Sequence, residues 1–117
     1  MMPVEPYRNT DINEGTGNTL ALTHLDTTNA LFTPTAVSYR IDDLTNDREV
    51  LDWTVIPTPA STNNIVITAA TNQLRSRGQP KELRQVTVNV TDSSGAVAQD
   101  TFYYTLIRIF AQDGQKI

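Results

Sequence analysis

The stretch LRQVTVNVTDSSGAVAQDTFYYTLIRIF, residues 83–110, decides the fold class. Its first run, Leu83 to Thr91, places Val86, Val88 and Val90 at every second position, the period of a strand with one face on a core and the other on polar surroundings. Asp92-Ser93-Ser94-Gly95 interrupts it with residues that favour turns, including a glycine free to take a left-handed conformation. A second run from Ala96 to Phe110 follows at once, so the two read as a hairpin. In that second run Phe102, Tyr104 and Leu106 share one parity while Tyr103, Ile107 and Ile109 share the other. This predicts a C-terminal half that is covered on both faces or re-aimed by a bulge. A partner chain and the N-terminal segment are equal candidates for the second cover.

Upstream the same rhythm recurs. Asn64 to Ala70 sets Ile65, Ile67 and Ala69 against Val66 and Thr68, and the connection from Thr71 to Lys81, with Gly78 and Pro80, reads as a loop. Val50 to Ile56 places Leu51, Trp53 and Val55 on one face and Asp52 and Thr54 on the other, until Pro57 and Pro59 remove ladder donors. Trp53 therefore reads as a large core aromatic. Ala36 to Asp42 alternates Val37, Tyr39 and Ile41 with Ser38, Arg40 and Asp42, and ends in a polar turn running to Glu49. A first strand starts at Asn18, carries Leu20 and Leu22, and closes at the polar residues 26–29.

Residues 1–17 hold few apolar side chains and read as an arm or an irregular edge strand, with Gly15-Thr16-Gly17 as a flexible joint to the body at 18–117. Six or seven short strands and no long helix-period segment predict an all-β domain. The expected architecture is an immunoglobulin-like β-sandwich of about seven strands with an extended N-terminal arm, and a small barrel is its main competitor.

Composition narrows the function. At 117 residues there is room for one core. The net charge of -4 opposes a nucleic-acid role, which needs concentrated positive charge. There is no cysteine to form a disulfide or a thiolate metal site, and the single histidine, His24, falls in an apparent strand without a nucleophile elbow anywhere in the chain. His24 reads as a solvent-facing strand histidine. Neither a basic, apolar leader nor a stretch long enough to span a bilayer is present, so synthesis in the cytoplasm and no membrane contact are expected.

Asp42, Asp43 and Asp47 are the best candidate for calcium, but their spacing matches no calcium loop and Arg48 competes for the carboxylates; a solvated turn is the expectation. Arg75, Arg77, Lys81 and Arg84 form a local positive cluster, read as a solvated loop or a protein interface. Asn89-Val90-Thr91 matches a glycosylation acceptor inside a strand, where it carries little weight. No catalytic residue, cofactor or metal site is expected, and the chain reads as a binding protein and not an enzyme. Val4, Tyr7 and Ile12 are the candidate partner contacts of the arm.

From residue 35 onward the order of residues adds a more particular likeness. TAVSYRIDDLT (35–45), VLDWTVI (50–56), NIVITAATNQL (64–74), ELRQVTVNVTDSSG (82–95) and TFYYTLIRI (101–109) together resemble small immunoglobulin-like structural proteins of tailed bacteriophages. Tyr39-Arg40-Ile41, Trp53-Thr54 and Arg84 ahead of Val86-Thr87-Val88 carry the distinctive part. The resemblance implies a virion location and partners among viral capsid or neck and tail proteins, or copies of the chain itself. Capsid decoration or a minor capsid role is the leading expectation, and a carbohydrate-binding or adhesive module is the alternative.

Overall fold

The computed structural model describes residues 10–74 and 80–108. Seven strands follow in order: β1 Thr10–Asn13, β2 Asn18–Thr23, β3 Ala36–Asp43, β4 Arg48–Val55, β5 Thr62–Ile67, β6 Lys81–Thr91 and β7 Val97–Ile107. They form a five-stranded sheet in the order β1-β7-β6-β3-β4 and a two-stranded sheet of β2 and β5. All neighbours are antiparallel except β1, which runs parallel to β7 with Thr10 opposite Tyr104 and Asn13 opposite Ile107. The segment read as an arm or edge strand is thus an edge strand from Thr10 onward, while Val4 and Tyr7 lie outside the described residues.

The hairpin that decided the fold class forms, with Val86 opposite Phe102 and Val88 opposite Asp100. Its turn bonds Asp92 N–H to the Ala96 carbonyl, and Asp92 Oδ1 accepts from Ser94 N, Ser94 Oγ and Ala96 N. Gly95 supplies φ +89 there. The same device recurs after β2, where Asp26 Oδ1 accepts from Thr28 N, Thr28 Oγ1 and Ala30 N, and Asn29 takes φ 65. These donors stabilise the ionised form and hold both carboxyls below the ordinary value of 3.8.

Alternation builds the core between the sheets. Leu22, Ile65 and Ile67 face Val37, Ile41, Val86, Val88, Val90, Phe102, Tyr104 and Leu106, with Ile12, Leu20, Phe32, Tyr39 and Leu51 packed at its margin. Gly17 lies where the entry into β2 passes close to β5: a Cβ there would come within 2.9 Å of the Ile67 carbonyl oxygen.

Strand β4 departs from the sequence reading. Tyr39 opposes Thr54 and Ile41 opposes Leu51, so Asp52 and Trp53 together stand opposite Arg40 alone. A second irregularity leaves Val50 between the Ile41–Leu51 and Asp42–Glu49 pairs. Each extra residue inverts the parity of the residues beyond it. Leu51 therefore faces the core with Ile41, whereas Val55 lies opposite Ser38 on the outer face and is 68% exposed. Trp53 is 41% exposed and is not a core aromatic.

Candidate functional site

Two polar constellations stand out, one inside the sandwich and one on it. The inner one starts from an alternation that continues past the valines: Glu82 and Arg84 share the parity of Val86 and Val88, and both are fully buried. Arg84 Nη2 donates to Glu82 Oε1 at 2.9 Å and to the Gln73 carbonyl at 2.7 Å, while Nη1 donates to the Thr71 carbonyl at 3.0 Å. Asp43, in register with Arg84 across β3 and β6, is equally buried. Asn46 joins the two acids, its Nδ2 lying 2.7 Å from Asp43 Oδ2 and 3.1 Å from Glu82 Oε2.

Asn72 extends this network, accepting from the Tyr104 hydroxyl at 2.8 Å and donating to the Thr16 carbonyl and Asn18 Oδ1. It fastens three elements from the end of the sandwich where the β1–β2, β3–β4 and β5–β6 connections meet. The arrangement pairs the Arg84 cation with Glu82 and ties loops to strands through Nη1 and Nη2, while Arg84 Nε is buried without a hydrogen-bond partner.

Burial raises the Tyr104 hydroxyl above its ordinary pKa of 10.0, with the Arg84 cation pulling in the opposite direction. Because the folded value exceeds the unfolded one, this group's contribution is fully present below pH 10.0 and is lost as the pH rises through the folded value. Unfolding measured in a series of buffers from about pH 8 to 11 should show this alkaline loss in the wild type and a smaller one in Tyr104→Phe. Equal slopes would remove tyrosine ionisation as the cause.

The outer constellation lies on the solvent face of the five-stranded sheet. Register places Arg40 and Asp42 of β3 beside Thr87 and Gln85 of β6, which in turn lie beside Thr101 and Tyr103 of β7. The bulge on β4 adds Trp53, with the Arg40 guanidinium carbon 5.9 Å from its ring centroid. Arg40 is held in place by a two-pronged bond to Asp42, Nε to Oδ2 at 3.1 Å and Nη2 to Oδ1 at 2.7 Å, and by Glu49 at 3.4 Å. The hydrogen bond to Asp42 raises the Arg40 pKa further. Gln99 donates to Asn89 at 2.8 Å and Gln85 to the Tyr103 hydroxyl at 3.4 Å, so the planar side chains of the face are pre-set by one another.

Several expectations from the sequence change here. His24 is 2% exposed, with Nε2 3.0 Å from Asn63 Oδ1 and its ring edge-on to Phe32, so it is a packed core histidine and not a solvent-facing one. Strand alternation points Asp42 outward to Arg40 and Asp43 inward to Asn46, and Asp47 lies exposed in the turn at φ 53, so the three aspartates do not converge. Arg84 is buried and leaves the proposed positive cluster; Lys81 is exposed, and Arg75 and Arg77 lie outside the described residues. Ile12, a candidate partner contact, is half-buried and packs on the core opposite Leu106.

Sequence reasoning missed the Arg84–Glu82–Asp43 network although the parity of all three residues pointed inward. The bulge that turns Trp53 outward has no comparable signal, because a strict period of two fits residues 50–56 without it.

No protein family matches the chain, and no curated protein does. Among solved structures it is similar to the periplasmic chaperone SfaE, with a TM-score of 0.61 and 12% sequence identity over 90% of this chain and 56% of that one. The chain thus spans 56% of the length of that neighbour. A likeness at this identity shows the fold alone, and together with the seven strands in two facing sheets it establishes an all-β, immunoglobulin-like β-sandwich.

Proposed function

We propose that the chain is a non-enzymatic structural protein of a tailed-phage virion, docking on capsid or neck and tail proteins, with capsid decoration or a minor capsid role as the leading assignment. The observation that supports it best is the outer sheet face: a broad surface of hydrogen-bonded polar side chains that exposes the chain's single tryptophan beside a fixed arginine. Trp, Tyr and Arg are the residue types that dominate protein–protein binding energy, and here they stand on strands and not on loops. The phage resemblance contributes the virion, which the face by itself does not.

Copies of the chain are further candidate partners, and the location is taken from the resemblance: synthesis in the host cytoplasm, then incorporation into the particle. Mass spectrometry of purified particles should find the chain at a fixed stoichiometry to the major capsid protein. Its absence from particles that are otherwise complete would overturn the assignment.

A carbohydrate-binding or adhesive module is the second reading, favoured by one specific feature. Trp53 and Tyr103 rise from the same sheet face among Gln, Asn and Thr side chains, a combination that suits sugar rings and hydroxyls. A glycan array separates the two readings: saturable binding of one oligosaccharide class supports the module.

A further inference from the structure

Three carboxylates, Asp42, Glu49 and Asp52, act on the single guanidinium of Arg40 beside Trp53. Arg40 is already bound to two of them, so the rim of the tryptophan carries an excess of negative charge. From this we infer that the β3–β4 half of the outer face docks a basic patch on a different protein, with Trp53 as the apolar anchor and the surrounding carboxylates meeting lysine or arginine. The inference rests on the binding role proposed above and supplies the chemistry of the partner.

Charge selects this occupant over the others. A second copy would bring its own acidic rim to the same place on a chain whose net charge is already -4, and nucleic acid would be repelled for the same reason. Strand addition along the β4 edge is disfavoured, because the irregularities at Val50 and at Asp52–Trp53 break the ladder a new strand would need. A neutral glycan would stack on the indole but gain nothing from the carboxylates. Opposite charges across the contact raise the on-rate and fix orientation, while desolvation of the indole supplies affinity.

Trp53 is the only tryptophan, so its emission in the intact chain reports this surface alone. The probes are a fluorescein-labelled peptide of alternating lysine and leucine, its glutamate–leucine counterpart, and a neutral oligosaccharide. The basic peptide should shift Trp53 emission saturably and the acidic one should not. Labelled-peptide anisotropy should then show affinity reduced about tenfold by Trp53→Ala and about fivefold by Asp42→Asn with Glu49→Gln. Asp26→Asn with Asp92→Asn, which removes two charges from the turns after β2 and β6, should leave it within twofold.

Equal losses in the two charge pairs, an unchanged emission, or a response to the oligosaccharide alone would each overturn the inference. Circular dichroism of the variants separates loss of the surface from loss of the fold. Particle incorporation keeps the two proposals apart. If the wild-type chain is absent from virions, the virion assignment fails and the peptide result still decides this one. If wild type and Trp53→Ala incorporate equally, this inference fails and the virion assignment stands.

Discussion

Replacing Arg84 by alanine is expected to cost about 3–5 kcal/mol, the range for removing one partner of a buried ion pair. The side chain is completely buried, and so are Glu82 and Asp43, so the two acids would keep their places in the interior with no cation to offset them. The loss has a second part, because Arg84 also caps the carbonyls of Thr71 and Gln73 and holds the first half of the β5–β6 connection against β6. A domain of this size has about 5–15 kcal/mol in total, so the variant should be partly unfolded at room temperature or melt far below the wild type. Arg84→Lys should recover only a fraction, since one ammonium cannot reproduce the planar fork that reaches Glu82 and two carbonyls together. Urea titration of both variants measures this. A loss below about 1 kcal/mol in Arg84→Ala would mean that water enters and solvates the acids, and that the network is peripheral to stability.

The network also explains what the sequence made legible and what it hid. Strands with one parity apolar and the other polar, such as β3 and β6, could be read directly, because a period of two has no other common cause. Arg84, Glu82 and Asp43 were hidden by their charge: their parity was inward, but charged residues are rarely buried without partners. Although Arg84–Glu82 and Asp43–Asn46 are close in sequence, the Asn46–Glu82 bond and the Thr71 and Gln73 carbonyls that complete the network come from other elements. Alternation in β6 thus carried more information than composition did. In β4 the opposite happened. The pattern of Leu51, Trp53 and Val55 fits one face perfectly, yet the irregularity at Asp52–Trp53 separates Leu51 from the other two. A bulge is fixed by the pairing with β3, a long-range property that no local window records.

His24 belongs with these. Its environment comes from Asn63, 39 positions away, and from Phe32 across the β2–β3 connection. Parity on β2 put it beside Leu22 and Leu20 on the core side, but a lone polar residue at a strand end reads as surface. The candidate contacts of the N-terminal segment were legible only as apolar residues in a polar stretch. Of these, Ile12 is half-buried and packs against the fold's own core.

Asn72→Ala is expected to cost about 2–3 kcal/mol, from leaving buried polar groups without partners. Asn72 is fully buried, and its amide bonds the Tyr104 hydroxyl, the Thr16 carbonyl and Asn18 Oδ1, so it joins β7 to the turn between β1 and β2. Alanine removes all three bonds at once. The Thr16 carbonyl lies in an exposed turn and can turn to water, but the Tyr104 hydroxyl is deep and cannot. A double-mutant cycle isolates that part: Tyr104→Phe alone strands the Asn72 carbonyl, whereas in the Asn72→Ala background it removes a hydroxyl that has already lost its acceptor. The combined loss should therefore fall short of the sum of the single losses by about 1 kcal/mol, as for residues in direct contact. The coupling bears on the proposed function because this end of the sandwich sets how the two-stranded sheet sits against β6 and β7, members of the five-stranded sheet whose β3–β4 half is proposed as the docking surface. Strict additivity in the cycle would show that Tyr104 finds another partner when Asn72 is removed, and the Asn72–Tyr104 bond would then contribute nothing to holding the sheets together.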